Sequence, residues 1–159
     1  MINYTGHLKA DQKPIQQFFS LKDSLYPYIL VNLRSGATFT RVDSPRSYKR
    51  IAGSSIGSNV FVGILRLLNI FNDPTSAITG ALDGDDSEIN LSVGDIYGKA
   101  GESSLGLPDD MIASSFAKCS NMNDAKADSK PNDISRALLT MVSVNTLMLS
   151  SMIAKIEKI

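Results

Sequence analysis

Three stretches of this 159-residue chain carry side chains able to hold an anion or a small polar ligand. The first is Asn32-Leu33-Arg34-Ser35-Gly36-Ala37-Thr38, where a Ser-Gly turn signal brings the hydroxyls of Ser35 and Thr38 and backbone donors to one end of a sheet. The second is the basic cluster Arg41, Arg46, Lys49 and Arg50, in which a guanidinium fork matches a carboxylate or phosphate. The third is Gly53-Ser54-Ser55-Ile56-Gly57-Ser58-Asn59, a run of small residues between a strand pattern and a helix pattern. Such a run lets backbone approach a phosphate at a helix N-terminus. It fits neither GxxxxGK[ST] nor GxGxxG, and a tight turn with a helix N-cap accounts for the same residues.

Other chemistries are poorly served. The single histidine, His7, lies in a polar entry stretch, so no Ser/His/Asp triad can be built around it. The single cysteine, Cys119, has no second histidine to activate it and reads as an inert thiol; it forms no internal disulfide, which suits a reducing compartment. One His and one Cys exclude a zinc site made from those residues. Asp85-Asp86 with Glu88 lacks the spacing of a calcium loop and reads as a solvated acidic stretch.

Sixteen Lys/Arg balance sixteen Asp/Glu, which removes bulk attraction to nucleic acid or to an anionic membrane. The distribution is uneven. Residues 1–50 hold eight basic against three acidic side chains, residues 51–110 two against nine, and residues 111–159 six against four. Tyr48 is the one aromatic within the basic cluster, which is not the interleaved stacking series that a single-strand binder requires. With 43% hydrophobic residues and a mean hydropathy of −0.02 the composition is that of a single soluble domain. No apolar run reaches the length of a membrane span and no signal core opens the chain, so a cytoplasmic location is expected.

The elements that must position these residues follow from period and punctuation. Residues 1–25 read as an entry loop. Tyr28–Leu33 is an apolar run of strand length after Pro27, Thr38–Val42 alternates, and Tyr48–Ile51 makes a third strand after the turn Ser44–Ser47. Val60, Phe61, Ile64, Leu67, Leu68 and Phe71 then fall at helical spacing, predicting a helix that ends near Asn72. Asp73-Pro74 predicts a capped short helix through about Leu82. Residues 83–110 read as a short helix and exposed loops, Met111–Lys118 as a short strand or turn, and Ser120–Pro131 as a polar loop. A long helix follows, capped by Asn132 or Asp133 and carrying Leu138, Leu139, Val142, Leu147, Leu149, Ile153 and Ile156. Met141, Met148 and Met152 on it are expected in the core. The fold class is therefore α/β, an antiparallel β-meander followed by helices.

Read in order, Tyr26-Pro27-Tyr28-Ile29-Leu30-Val31-Asn32 with Ser35-Gly36, Tyr48-Lys49-Arg50, Gly53-Ser54-Ser55-Ile56-Gly57, Asp95-Ile96-Tyr97-Gly98, Gly106-Leu107-Pro108, Ala113-Ser114-Ser115-Phe116, Arg136-Ala137 and Glu157-Lys158-Ile159 resemble the eukaryotic-type (type II) pantothenate kinases, from about residue 26 to the end. The resemblance implies part of an actin/sugar-kinase fold of ribonuclease-H-like halves, a dimer, and ATP- and Mg²⁺-dependent phosphorylation of pantothenate at the start of coenzyme A synthesis. It implies a partial kinase domain over 26–159, with the meander at 26–52 and a mainly helical dimer-forming region over 53–159. By the same resemblance Ser35, Thr38 and Arg50 bind pantothenate, Gly36, Gly53, Ser54, Ser55 and Gly57 lie on the phosphate and nucleotide side, and Ile112 and Ala113 line the neighbouring protomer's pocket. Feedback by coenzyme A or its acyl esters is a family property.

The departures from the family pattern bear on activity. Arg34 stands where the family has glycine, and Ser58-Asn59-Val60 replaces a Gly-Gly-Thr continuation, adding Cβ atoms and removing a hydroxyl. The family's phosphate loop and catalytic glutamate match nothing in this sequence, so the chain alone is expected to be inactive, with Asp95 the fallback carboxylate should it turn over. The alternative is a non-catalytic subunit that dimerises with a complete kinase; an unrelated α/β binding module would need the ordered motifs to be coincidence.

Overall fold

The computed structural model describes residues 25–98 and 106–159, so the expected entry loop and His7 lie outside the described residues. Three strands, β1 (Tyr28–Leu33), β2 (Ala37–Ser44) and β3 (Ser47–Ser54), form an antiparallel sheet in the order β1-β2-β3. β3 is longer than its apolar pattern predicts, because the ladder continues through Thr38↔Gly53 and Ala37↔Ser54. Gly53 and Ser54 are thus strand residues rather than loop.

The pairing register decides which side chains share a face. Phe39 pairs with Ala52 but Thr40 pairs with Arg50, so Ile51 is the extra residue of a β-bulge. Directly opposed residues lie on one face. Val31, Phe39 and Ala52 therefore form an inner row with Leu33, Ala37 and Ser54 beside it, and Ala37 and Phe39 are fully buried. The outer face carries three rows: Asn32-Thr38-Gly53, Leu30-Thr40-Arg50 and Tyr28-Val42-Tyr48. Without the bulge Arg50 would fall opposite Arg41 on the inner face.

The helical half builds its own core. Helices α1 (Ser58–Leu67) and α2 (Pro74–Asp83) pack on the first half of a long helix with Phe61, Leu65, Ala77, Ile89, Ile134, Ala137, Leu138 and Val142 buried together, and half-buried Cys119 lies against this cluster. α1 stops at Leu67, four residues before the periodic pattern ends at Phe71. Asn69 takes a left-handed φ of 54°, its N–H donates to Arg66 O and the Ile70 N–H donates to Leu65 O, which closes the helix in a Schellman turn. Asp73 caps α2 as expected, accepting from the Thr75 and Ser76 N–H groups.

A short second sheet, β4 (Leu91–Ser92) with β5 (Ile112–Ser114), flanks helix α3 (Val93–Tyr97). The expected polar loop after Ser120 holds a one-turn helix, α4 (Ala125–Asp128). Helix α5 (Pro131–Glu157) begins with Pro131 at its first position and Lys130 at the cap, without a side-chain cap bond. Asp133 does not cap it; its carboxylate instead accepts the Asp85 N–H at 2.9 Å, tying the end of α2 to α5.

Two expectations about α5 fail. Its partners cover only the N-terminal half, so Met141 packs on the core while Met148, Met152, Leu147 and Ile156 are exposed. Among the described residues this helix alone is long and apolar enough to cross a membrane, against the expectation of no such run: an 18-residue window averages a hydropathy of 1.7, with 17% of it buried. Its far end is fixed by Arg41, whose Nη1 donates to Glu157 O at 2.8 Å and to Glu157 Oε2 at 3.0 Å while Nε meets Asp43 at 2.7 Å. Asp43 first, and then Glu157, hold the guanidinium further toward its charged form.

One buried amide organises the region around β5. Asn90 is 1% exposed; its Nδ2 donates to Asp86 Oδ2 at 2.8 Å and its Oδ1 accepts the Phe116 N–H at 2.9 Å. Phe116 has φ 59°, an unfavourable conformation for a side chain of that size. Asn90→Leu is expected to lower unfolding free energy by about 2 kcal/mol, because it leaves the Phe116 N–H without its acceptor; urea titration followed by circular dichroism measures it.

Candidate functional site

The turn and the small-residue run singled out in the sequence meet. Arg34-Ser35-Gly36 closes the β1-β2 hairpin, and the chain leaving β3 passes directly across it. Ser58 Oγ donates to Arg34 O at 2.7 Å and Asn59 N to the same carbonyl at 3.3 Å. Gly57 is buried, and an added Cβ would stand 2.6 Å from Arg34 O and from Gly36 Cα. A Cβ on Gly36 would collide with Ser54 O. Both glycines are required because backbone passes over backbone.

Arg50 and Thr38 reach the same face through the bulge at Ile51. A Cβ on Gly53 would lie 2.5 Å from Arg50 Nη2, so the guanidinium lies over the glycine and beside Thr38, its cross-strand partner. Arg50 has no acidic partner among the described residues, unlike Arg41. Ser35 is exposed at the turn, at the Asn32–Thr38 end of this face. The result is a shallow polar strip running from the Arg50 guanidinium past Thr38 toward the turn, with the apolar Leu30 and the two tyrosines beside it. The strip suits a ligand with one anionic group, hydrogen-bonding groups along a short chain, and some apolar surface.

The small-residue run contributes less than its composition suggests. Ser54 Oγ accepts the Ile56 N–H at 3.1 Å, so that hydroxyl shapes the turn. In the first turn of α1 the Asn59 N–H is engaged by Arg34 O and the Val60 N–H by Gly57 O. The spaces left by the absent side chains of Gly36, Gly53 and Gly57 are filled by this chain's own atoms rather than open to a phosphate. Ser55 is exposed at the edge of the run. Ile112, half-buried, and Ala113, exposed, stand on the second sheet and belong to a separate surface.

The acidic residues weighed in the sequence have local duties. Asp85 Oδ1 accepts the Ser87 N–H, which holds its carboxyl below the ordinary range, and Asp86 holds Asn90. Among the described residues no group of three His, Cys, Asp or Glu could hold a metal ion. Asp95, the fallback carboxylate, completes a capping box with Ser92 and meets Lys118 Nζ at 2.9 Å. The Ser92 N–H first, then Lys118 and the Ser92 hydroxyl, hold it at about 2 against an ordinary 3.8, which makes it a structural anion and a poor base. Its stabilisation is therefore complete above about pH 4 and fades as pH falls toward 2. Asp95→Asn should be less stable than the native chain at neutral pH, with the two urea midpoints converging by about pH 2; a gap unchanged by pH would contradict this.

Sequence reasoning had not placed Asn32, Leu30 and Thr40 on this face. The hairpin register, readable from the turn, could have found Asn32 and Leu30; the bulge that admits Arg50 leaves no signal in composition.

Residues 3–159 match the Fumble family. The chain is 39% identical over 123 residues to pantothenate kinase 2 of Arabidopsis thaliana, covering 77% of this chain and 14% of that protein. It is 39% identical over 121 residues to the pantothenate kinase of Schizosaccharomyces pombe (76% and 30%), and 32% identical over 149 residues to a 4'-phosphopantetheine phosphatase of Mus musculus (94% and 18%). It thus spans less than a third of the length of each. With nearly its whole length inside the family match, this chain belongs to the Fumble family.

Proposed function

We propose that this chain is the pantothenate-binding part of an ATP-dependent pantothenate kinase built on the actin/sugar-kinase fold. The observation that carries the reading is the bulge at Ile51, which turns Arg50 onto the face that holds Thr38 and the Ser35 turn. Arg50 pairs with the substrate carboxylate, and the two hydroxyls bond the polar groups of its chain. The carboxylate also discriminates between the two activities named among the relatives. Pantothenate ends in a carboxylate, whereas in 4'-phosphopantetheine that position is an amide and the anion lies at the other end.

Binding and chemistry separate on this face. Its three rows contain hydroxyls, an amide and a guanidinium but no carboxylate, so the base that takes the proton from the attacking hydroxyl is not among them. The glycines are filled by protein, and no described carboxylate cluster fits Mg²⁺, so in this proposal ATP and its metal are held by groups beyond this face. A second reading, a subunit that completes another kinase, draws on the exposed apolar half of α5 and on Ile112 and Ala113, which would face a partner copy.

Titration calorimetry with pantothenate, beside a coupled ATP-consumption assay of the chain alone and mixed with a full-length kinase, tests both. Binding without turnover is expected. Altered turnover in the mixture favours the subunit reading, and absence of binding overturns the assignment.

A further inference from the structure

We infer that Asn32 is a ligand-binding residue of the same strip and reads the amide of the substrate. This rests on the pantothenate reading and deepens it. The register places Asn32 directly opposite Thr38, and Thr38 directly opposite Gly53, over which the Arg50 guanidinium lies. Opposed side chains share a face, so carboxamide, hydroxyl and guanidinium form one transverse row about two strand spacings, or roughly 10 Å, long. Asn32 is exposed, and among the described residues its side chain engages no other group. Asparagine is an unfavourable choice for a strand position, and no turn, cap or buried network here accounts for it. Its neighbours along the outer side of β1 are the aromatic Tyr28 and the aliphatic Leu30.

The chemistry matches the spacing. In pantothenate the amide lies two methylene groups from the carboxylate, about one strand spacing away when the chain is extended. A carboxylate on Arg50 sets the amide over Thr38, within reach of Asn32. A carboxamide offers one acceptor and two donors, the complement of a secondary amide's N–H and C=O. The substrate amide is trans, so its N–H and C=O point opposite ways; Asn32 Oδ1 accepts from the N–H, the contact that the ester analogue removes.

The test pairs a residue change with a ligand change, using the full chain and calorimetry. Asn32→Ala is expected to weaken pantothenate binding roughly 3- to 10-fold. The ester analogue, with the amide N–H replaced by oxygen, should bind the native chain more weakly than pantothenate by a similar factor, and Asn32→Ala should bind both equally. Equal affinity of Asn32→Ala and the native chain for pantothenate overturns the inference. So does a weakened variant that still distinguishes amide from ester, since that pattern reports a structural effect. If pantothenate fails to bind the native chain, the functional reading falls and this inference with it.

Discussion

Replacing Arg50 by alanine is expected to weaken pantothenate binding about 100-fold, the effect of removing a charge-assisted bidentate contact. The side chain lies over Gly53 on the exposed face and takes no part in the core, so the urea midpoint should barely move. Arg50→Lys restores the charge but not the planar fork, and should recover only part of the affinity. The decisive control is on the ligand: the alcohol analogue of pantothenate, which lacks the carboxylate, should bind the native chain about as weakly as pantothenate binds Arg50→Ala. A variant that still prefers the acid over the alcohol would place the carboxylate elsewhere, with Arg34 or Lys49 the next cations to examine. Arg41 is excluded from that role because Asp43 and Glu157 already occupy its guanidinium.

How much of this was legible beforehand depends on the range of the interaction. The strands, the Asp73 cap and the long helix follow from local signals: an apolar run after a proline, an Asp-Pro pair, a sustained helical period. The end of α1 did not, since apolar residues continue to Phe71 and only the left-handed Asn69 and two backbone bonds stop the helix at Leu67. The C-terminal methionines show the opposite error. Period identifies the apolar face of α5 but not how far its partners extend, and beyond Val142 that face is largely uncovered. At the site, residue identities pointed to Thr38 and Arg50 but could not say that both face one way; that is fixed by an extra residue at Ile51. The glycine-rich run was misleading in the reverse direction, because small residues signal close approach without saying what approaches.

That last point yields the largest expected effect on stability. Gly57→Ala adds one methyl group where Arg34 O and the Gly36 Cα and carbonyl carbon stand 2.6 Å away, all of them backbone atoms that cannot rotate aside. The torsions at Gly57, φ −147° and ψ −166°, are extended and open to alanine, so the penalty is steric alone. To make room the hairpin turn must lift from the loop, breaking the bonds from Ser58 Oγ and Asn59 N to Arg34 O. A loss of about 3 kcal/mol is expected, at the upper end for overpacking. The same substitution six residues on should act oppositely. Gly63 lies exposed in the interior of α1 with nothing within 4 Å of its missing Cβ, so Gly63→Ala should raise stability by up to about 1 kcal/mol through helix propensity. Urea unfolding of the two variants separates the explanations: opposite signs locate the sensitivity in the crossing of turn and loop, whereas a mild effect at both positions would mean that the turn moves freely against α1. In that case the strip from Ser35 to Arg50 would lack the rigid end that a preformed ligand site requires.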